Sequence, residues 1–237
     1  MDSDDYVDEA FIERLMDLVQ DYDSDVAACF SNKVSEHGLR KPSAGRSRTY
    51  CLSNLESLSW LMETEQGKYP FSISNKLFCF QLFDDIQFPV GRYYEDAWVI
   101  HRLFYKANRV AVTTEKLYYY YKRAGSICNS SYSIKKLDQL HAHVSFLEFL
   151  QSKGLDVLAK RAEVMVYRIQ KAHFGKLIYF NTQEARQIAN EIRMNIKKKT
   201  FSLLFNRYRA IADVTTLILI LICPSLFLLI FRRRFPV

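Results

Sequence analysis

Three carboxylates, Asp2, Asp4 and Asp5, crowd into four positions at the start of the chain, directly before an amphipathic run. Like charges a few ångströms apart raise one another's pKa unless a cation lies between them. The cluster therefore reads either as a divalent-metal site or as a set of helix caps. All-oxygen ligands suit Mg²⁺ or Mn²⁺, which keep coordination positions open for the phosphate oxygens of a substrate. On the capping reading, Phe11, Ile12, Leu15, Leu18 and Val19 mark a helix beginning near Tyr6, with Asp5 or Asp8 at its positive end. A cap needs one aspartate, not three. An EF-hand is excluded, because Val7 stands where that loop requires glycine and Tyr6 takes a ligand position.

A second acidic pair, Glu95 and Asp96, follows the irregular turn over residues 88–94 and opens a helix marked by Ala97, Ile100, Leu103, Phe104 and Ala107. Here too two readings stand: a cap at the favourable end of the helix dipole, or a general base held where the helix enters a cleft. Asn75 and Lys76 form a lone polar pair in the apolar segment 71–78. Arg123 to Ile127 make a basic, glycine-containing turn that suits either a phosphate contact or plain exposure. His141 and His143 stand two apart on a helix, so they diverge and make a poor metal pair.

Periodicity supplies the elements that must hold these groups. Residues 25–30 predict a short buried strand, and the polar stretch 31–49, with Gly38, Pro42 and Gly45, a long surface loop. A helix is expected over 52–62, with Ser53 or Asn54 at its start. Two short strands follow, 109–112 and 116–121, the second carrying Tyr118, Tyr119, Tyr120 and Tyr121 as a half-buried strand in preference to a base-stacking platform. Long helices over 134–152, 155–181 and 183–199 come next.

At 237 residues, 49% of them hydrophobic and 14% aromatic, the chain can bury a substantial core. Cys29, Cys51, Cys79, Cys128 and Cys223 include no close pair, which argues against a disulfide framework or a zinc site and for a reducing compartment. The net charge of +7 hides an asymmetry, because residues 1–25 hold ten acids and one base while residues 160–237 hold fifteen bases and four acids. That bias suggests anionic lipid, nucleic acid or a phosphate-bearing substrate. Nucleic acid ranks lowest, since the bases cluster beside a hydrophobic run and not among stacking aromatics.

That run, residues 214–231, is eighteen positions without a charge, followed by Arg232, Arg233 and Arg234. As one helix it would reach about 27 Å against a hydrocarbon core of roughly 30 Å. A terminal membrane helix is the expectation and a buried core helix the alternative. Pro224 permits a kink or a re-entrant hairpin, and Lys197, Lys198, Lys199, Arg207 and Arg209 before the run blunt any rule of orientation. The basic stretch would lie against anionic lipid.

Four stretches in order, residues 2–7 (DSDDYV), 75–78 (NKLF), 88–96 (FPVGRYYED) and 117–127 (LYYYYKRAGSI), form a set more specific than any member. Over about residues 1–150 this set closely resembles bacterial family 2 glycosyltransferases of the GT-A fold that build capsule, teichoic or other surface polysaccharides. The resemblance implies an α/β protein with a partial GT-A, Rossmann-like domain over 1–130, a helical extension over 131–200, and a basic juxtamembrane segment with its membrane helix over 201–237. It implies that Asp2 and Asp4 match the Asp-x-Asp motif that contacts donor ribose and diphosphate, with Asp4 and then Asp5 as ligands for Mg²⁺ or Mn²⁺. Asp96, with Glu95 beside it, matches the acidic pair that supplies the catalytic base. Asn75 and Lys76 match the pair flanking the acceptor side, and Arg123 and Ser126 the basic turn near the phosphates. The implied partners are a nucleotide-sugar donor, a glycan or lipid-linked acceptor and membrane lipid, with the catalytic part cytoplasmic at the cell membrane. Family members begin with about three further strand–helix units. The chain is therefore expected to be an inverting, metal-dependent transferase, or else a truncated fragment or subunit requiring a separate N-terminal half.

Overall fold

Two strands, β2 (Val26–Ser35) and β6 (Arg109–Tyr121), run parallel and form the spine of the first unit. They belong to a computed structural model that describes residues 3–35, 38–39, 47–63, 70–121 and 130–234. The chain divides into two compact units, residues 1–131 and 132–237. Asp2, Arg123 and Ser126 lie outside the described residues.

The remaining strands pair antiparallel with this spine. β1 (Tyr6–Val7) and β4 (Thr49–Ser53) pair with β6, while β3 (Gly38–Leu39) and β5 (Lys76–Phe78) pair with β2. Val26 to Phe30 are all buried, as a central strand covered on both faces requires. Ala27, Cys29, Ala111 and Tyr118 pack with Phe11, Leu15 and Leu18 of α1 (Phe11–Tyr22). The alternation of strand side chains gives Val26, Ala28 and Phe30 to the opposite face. α2 (Asn54–Leu61) and α3 (Glu95–Lys106) meet through Trp60 and Phe104, whose ring centroids lie 6.2 Å apart.

Several local expectations are met, and three are corrected. α2 begins at a full capping box: Ser53 Oγ accepts from the Glu56 N–H, and the Glu56 carboxylate accepts from the Ser53 N–H at 2.8 Å. α1, by contrast, starts at Phe11 and not near Tyr6, because Tyr6 and Val7 are drawn into the sheet opposite Tyr119 and Tyr118. The loop expected from residue 31 begins later, since β2 continues to Ser35. The two strands expected over 109–121 are one. The polar residues Thr113, Thr114 and Glu115 break the hydrophobic alternation, yet the backbone pairing runs on, with Thr49 opposite Thr113 and the Thr114 N–H bonded to the Arg48 carbonyl at 2.9 Å.

The second unit is helical: α4 (Asp138–Ser152), α5 (Asp156–Phe180), α6 (Gln183–Lys198), α7 (Thr200–Leu204), α8 (Ile211–Ile222) and α9 (Pro224–Arg234). Gly154, at φ 67, makes the left-handed turn between α4 and α5, and the Thr182 side chain caps α6. His143 is buried on α4 and His141 exposed, on different faces as their spacing requires.

The single terminal membrane helix expected over 214–231 is not what forms. Cys223 adopts an extended conformation (φ −139, ψ 74), ending α8, and Pro224 opens α9. Proline disfavours helical geometry in the residue before it but suits the first position of a new helix. The pieces pack on different neighbours. Arg193 of α6 donates to the Ile220 and Leu221 carbonyls at the end of α8, at 3.0 and 2.6 Å. Phe227 of α9 lies 5.7 Å from Phe174 of α5, and Phe231 covers the bare backbone of Gly175. Among the described residues no helix is long and apolar enough to cross a membrane.

Candidate active site

The four-tyrosine end of β6 holds the acid-rich segment. The rings of Tyr6 and Tyr119 stack at 4.7 Å. Asp5 is only 8% exposed. Its carboxylate accepts one hydrogen bond from the Tyr118 hydroxyl at 2.6 Å and another from the Tyr121 backbone N–H at 2.9 Å. A buried carboxylate is costly unless its oxygens are satisfied, and these two donors meet that need without a cation. Asp5 is thus an anchor for the segment. Asp8 accepts from the Ala10 N–H at 3.1 Å and from the Tyr119 hydroxyl at 3.4 Å. Of the two aspartates considered as caps, only Asp8 touches the entry to α1.

Among the described residues, no three His, Cys, Asp or Glu side chains gather as a metal cage. Mg²⁺ does not need one, because it is commonly held by one or two carboxylates together with substrate phosphates. Asp4 is half-buried and suits that role. Asp5 suits it less, since the sheet already engages both its oxygens.

Glu95 and Asp96 form the first turn of α3. Tyr94, left-handed at φ 58, swings the chain into the helix and makes no side-chain cap. Arg92, in the preceding turn, lies over the Trp98 ring at 5.9 Å. Glu95 is exposed, whereas Asp96 is half-buried. The Asp96 Oδ2 accepts from the Ile73 N–H at 3.1 Å, which ties α3 to the segment entering β5.

That segment carries Asn75 and Lys76, both buried. Asn75 Nδ2 donates to the Cys29 carbonyl, and the Cys29 N–H returns a bond to the Asn75 carbonyl at 3.1 Å. Lys76 Nζ donates to Asn75 Oδ1 at 2.8 Å and to the Ser72 carbonyl, and it lies 5.7 Å from the Trp60 ring centroid. A buried ammonium is tolerated only with such partners. Asp96, Asn75 and Lys76 are therefore brought together through residues 72–76. Cys29 sits where the β2–β6 register shifts, an irregularity of the kind that often lies beside functional sites. Burial pushes the Cys29 thiol up to about 12, so it is no nucleophile.

Asp5 attaches to Tyr118 and Tyr121, toward the carboxyl end of β6, whereas Asn75 attaches to Cys29, within the buried first half of β2. The carboxyl ends of parallel strands are where α/β sheets place ligands. Two strand spacings, roughly 10 Å, separate β6 from β5.

No protein-family model matches the chain. Over 196 residues it is 26% identical to glycosyltransferase GlyG of Streptococcus pneumoniae serotype 4, a match covering 80% of this chain and 62% of that protein. Over 134 residues it is 28% identical to glycosyltransferase GlyA of the same organism, covering 54% of this chain and 19% of that one. Both relatives are named glycosyltransferases. The chain spans less than two thirds of the length of either.

Sequence reasoning did not foresee Tyr118 and Tyr121 as the partners of Asp5, nor Trp60 as the ring under Lys76. The tyrosine run signalled a strand. Nothing in linear order shows which distant acid that strand would hold.

Proposed function

We propose that the chain transfers a sugar from a nucleotide-sugar donor to a hydroxyl of a lipid-linked glycan, with inversion, in the building of a surface polysaccharide on the cytoplasmic side of the cell membrane. Its similarity to two glycosyltransferases supports sugar transfer. The observation that carries the reading is Asp96, a half-buried carboxylate fastened to Ile73 at the mouth of α3, beside the buried Asn75–Lys76 pair.

On this reading Asp96 accepts the proton of the acceptor hydroxyl as its oxygen forms the new bond to the anomeric carbon. The bond from that carbon to the nucleoside diphosphate breaks on the opposite face, and one displacement inverts the centre. The bond from Ile73 fixes the Asp96 carboxylate in one orientation, as a general base requires. Glu95, exposed beside it, adds negative charge at the same mouth. On this reading Asn75 and Lys76 flank the acceptor side and Asp4 meets the donor diphosphate, and the family resemblance assigns Asp2, Arg123 and Ser126, which lie outside the described residues, to the same donor. A Mg²⁺ or Mn²⁺ ion held by Asp4, with Asp5 the second candidate ligand, would offset the charge developing on the leaving group.

Calorimetry with UDP, GDP and CDP, each with and without Mn²⁺, tests the reading. Metal-dependent binding of at least one nucleotide is expected. Absence of heat for all three, with metal present and the chain folded, overturns it.

A further inference from the structure

The outer sides of α7, α8 and α9 carry apolar side chains that the rest of the second unit leaves exposed. Phe201 and Phe205 are 77% and 74% exposed, with ring centroids 4.8 Å apart, and Ile211 is 84% exposed. Along α8, Ile211, Ile218 and Ile222 recur at spacings of seven and four, one stripe of an α-helix. All three are exposed, while Leu217 and Ile220 on the other side are buried. α9 repeats the arrangement, burying Phe227 and Phe231 and exposing Leu226, Leu229 and Ile230. Helices that are apolar on the inner and the outer side call for a second apolar phase on the outside.

The surrounding charge says what that phase is. Lys197, Lys198, Lys199, Arg207 and Arg209 are exposed in the same stretch, and no acidic residue occurs from 192 to 212. The next acid, Asp213, is buried against Arg168 at 2.8 Å and Lys171 at 3.2 Å. Two like copies of this face would set five cations against five. One acid from another helix, Glu163, reaches this face, where Ser202 Oγ and Asn206 Nδ2 donate to its carboxylate at 2.5 and 3.4 Å. The five exposed cations outnumber it, and exposed aromatic and branched side chains fringed by such an excess of lysine and arginine complement a bilayer with anionic headgroups.

We propose that α7, the 205–211 turn and the outer sides of α8 and α9 form a monotopic docking surface for a bilayer bearing anionic phospholipid. Phe201, Phe205, Ile211 and Ile222 enter the acyl boundary, and the lysines and arginines meet the phosphates. The break at Cys223 and Pro224 suits this, because two short helices lie in an interface where one long helix would cross it. The proposal makes specific, and rests on, the membrane-side part of the transferase reading, though physically it needs only the second unit's own surface.

The test uses the full chain with phosphatidylcholine vesicles, with and without phosphatidylglycerol, read by co-sedimentation. Binding is expected only with the anionic lipid and should weaken as salt rises. Each of Lys197→Ser, Lys198→Ser and Lys199→Ser should lower the affinity about fivefold, and the pair Phe201→Ser with Phe205→Ser at least about tenfold. These side chains are exposed, so circular dichroism and the unfolding midpoint should not change. Three results each overturn the proposal: no binding to either vesicle, binding indifferent to lipid charge, or light scattering that shows a dimer which the phenylalanine pair converts to monomer. Nucleotide binding by the same variants keeps the two readings apart. In the unsubstituted chain, nucleotide binding without docking overturns only the docking surface, and docking without nucleotide binding overturns only the transferase. In the variants, lost docking with retained nucleotide binding is the expected result.

Discussion

The carboxylate of Asp5 and the hydroxyl of Tyr118 lie 2.6 Å apart, joining residues 113 positions apart in sequence. A hydrogen bond to a charged group contributes about 1.5–3 kcal/mol. Asp5→Asn and Tyr118→Phe should therefore each lower the unfolding free energy by an amount of that order, read from urea denaturation. The double variant should cost clearly less than the sum of the singles. Full additivity would show that the pair is not coupled.

Asp96→Asn keeps an oxygen to accept from Ile73 but cannot take up a proton. Transfer is expected to fall on the order of 10² to 10⁴-fold, with nucleotide affinity unchanged by calorimetry. Wild-type turnover by this variant would remove Asp96 as the base.

Asp213 offers a second measurement, confined to the helical unit. Burial pushes its pKa up, but the bonds from Arg168 and Ala210 and the charges of Lys171 and Arg168 outweigh that and hold it below the usual carboxylate range. Asp213→Ala leaves two cations without their counter-ion and α8 without its first-turn bond to the Ala210 N–H at 3.0 Å. Because Arg168 is half exposed, solvent screens the cations left behind, and the loss is expected at about 1.5–3 kcal/mol, the size of hydrogen bonds to a charged group. Loss of less than about 1 kcal/mol in thermal or urea unfolding would contradict the assignment.

Acid should weaken the same unit through His173. Burial first, then Lys176, His141 and His143, pushes its pKa down from 6.5 to about 4, and the Tyr132 hydroxyl lies 3.0 Å from its Nδ1. Between those values the unfolded chain binds the proton and the folded one does not. Stability is therefore complete above about pH 6.5 and declines as the pH falls toward 4, by about 2–3 kcal/mol for this group. His143, pushed down by its own burial, acts in the same direction. Comparing unfolding at pH 7 and pH 4.5, His173→Gln should show a smaller loss than the wild type. Equal losses would assign the acid sensitivity elsewhere.

What can be read in advance is the local part. The Ser53–Glu56 box, the apolar face of α3 and the long helices of the second unit follow from spacing and capping that neighbouring residues decide. Expectation and structure part where distant residues decide. Tyr6 and Val7 are strand because β6 offers an open edge. The strand runs on through its polar middle because Thr49 of β4 pairs with Thr113 and the Arg48 carbonyl holds the Thr114 N–H. The hydrophobic run at 214–231 is legible as apolar, but whether it spans or folds back turns on one residue pair, Cys223 and Pro224. At the site, the Glu95–Asp96 pair is visible by type alone. Its tie to Ile73, and through that segment to Asn75 and Lys76, is tertiary and leaves no trace in linear order.

β1 and β4 follow one another along the same side of β6, β4 against residues 109–113 and β1 against Tyr118 and Tyr119. The two-residue strand is in effect a lid on a sticky rung. A form shortened by its first seven residues would bare main-chain donors and acceptors beside four tyrosines, an invitation to pair with whatever chain passes. Such a form should precipitate before it unfolds, so the short acid-flanked strand ahead of α1 guards solubility.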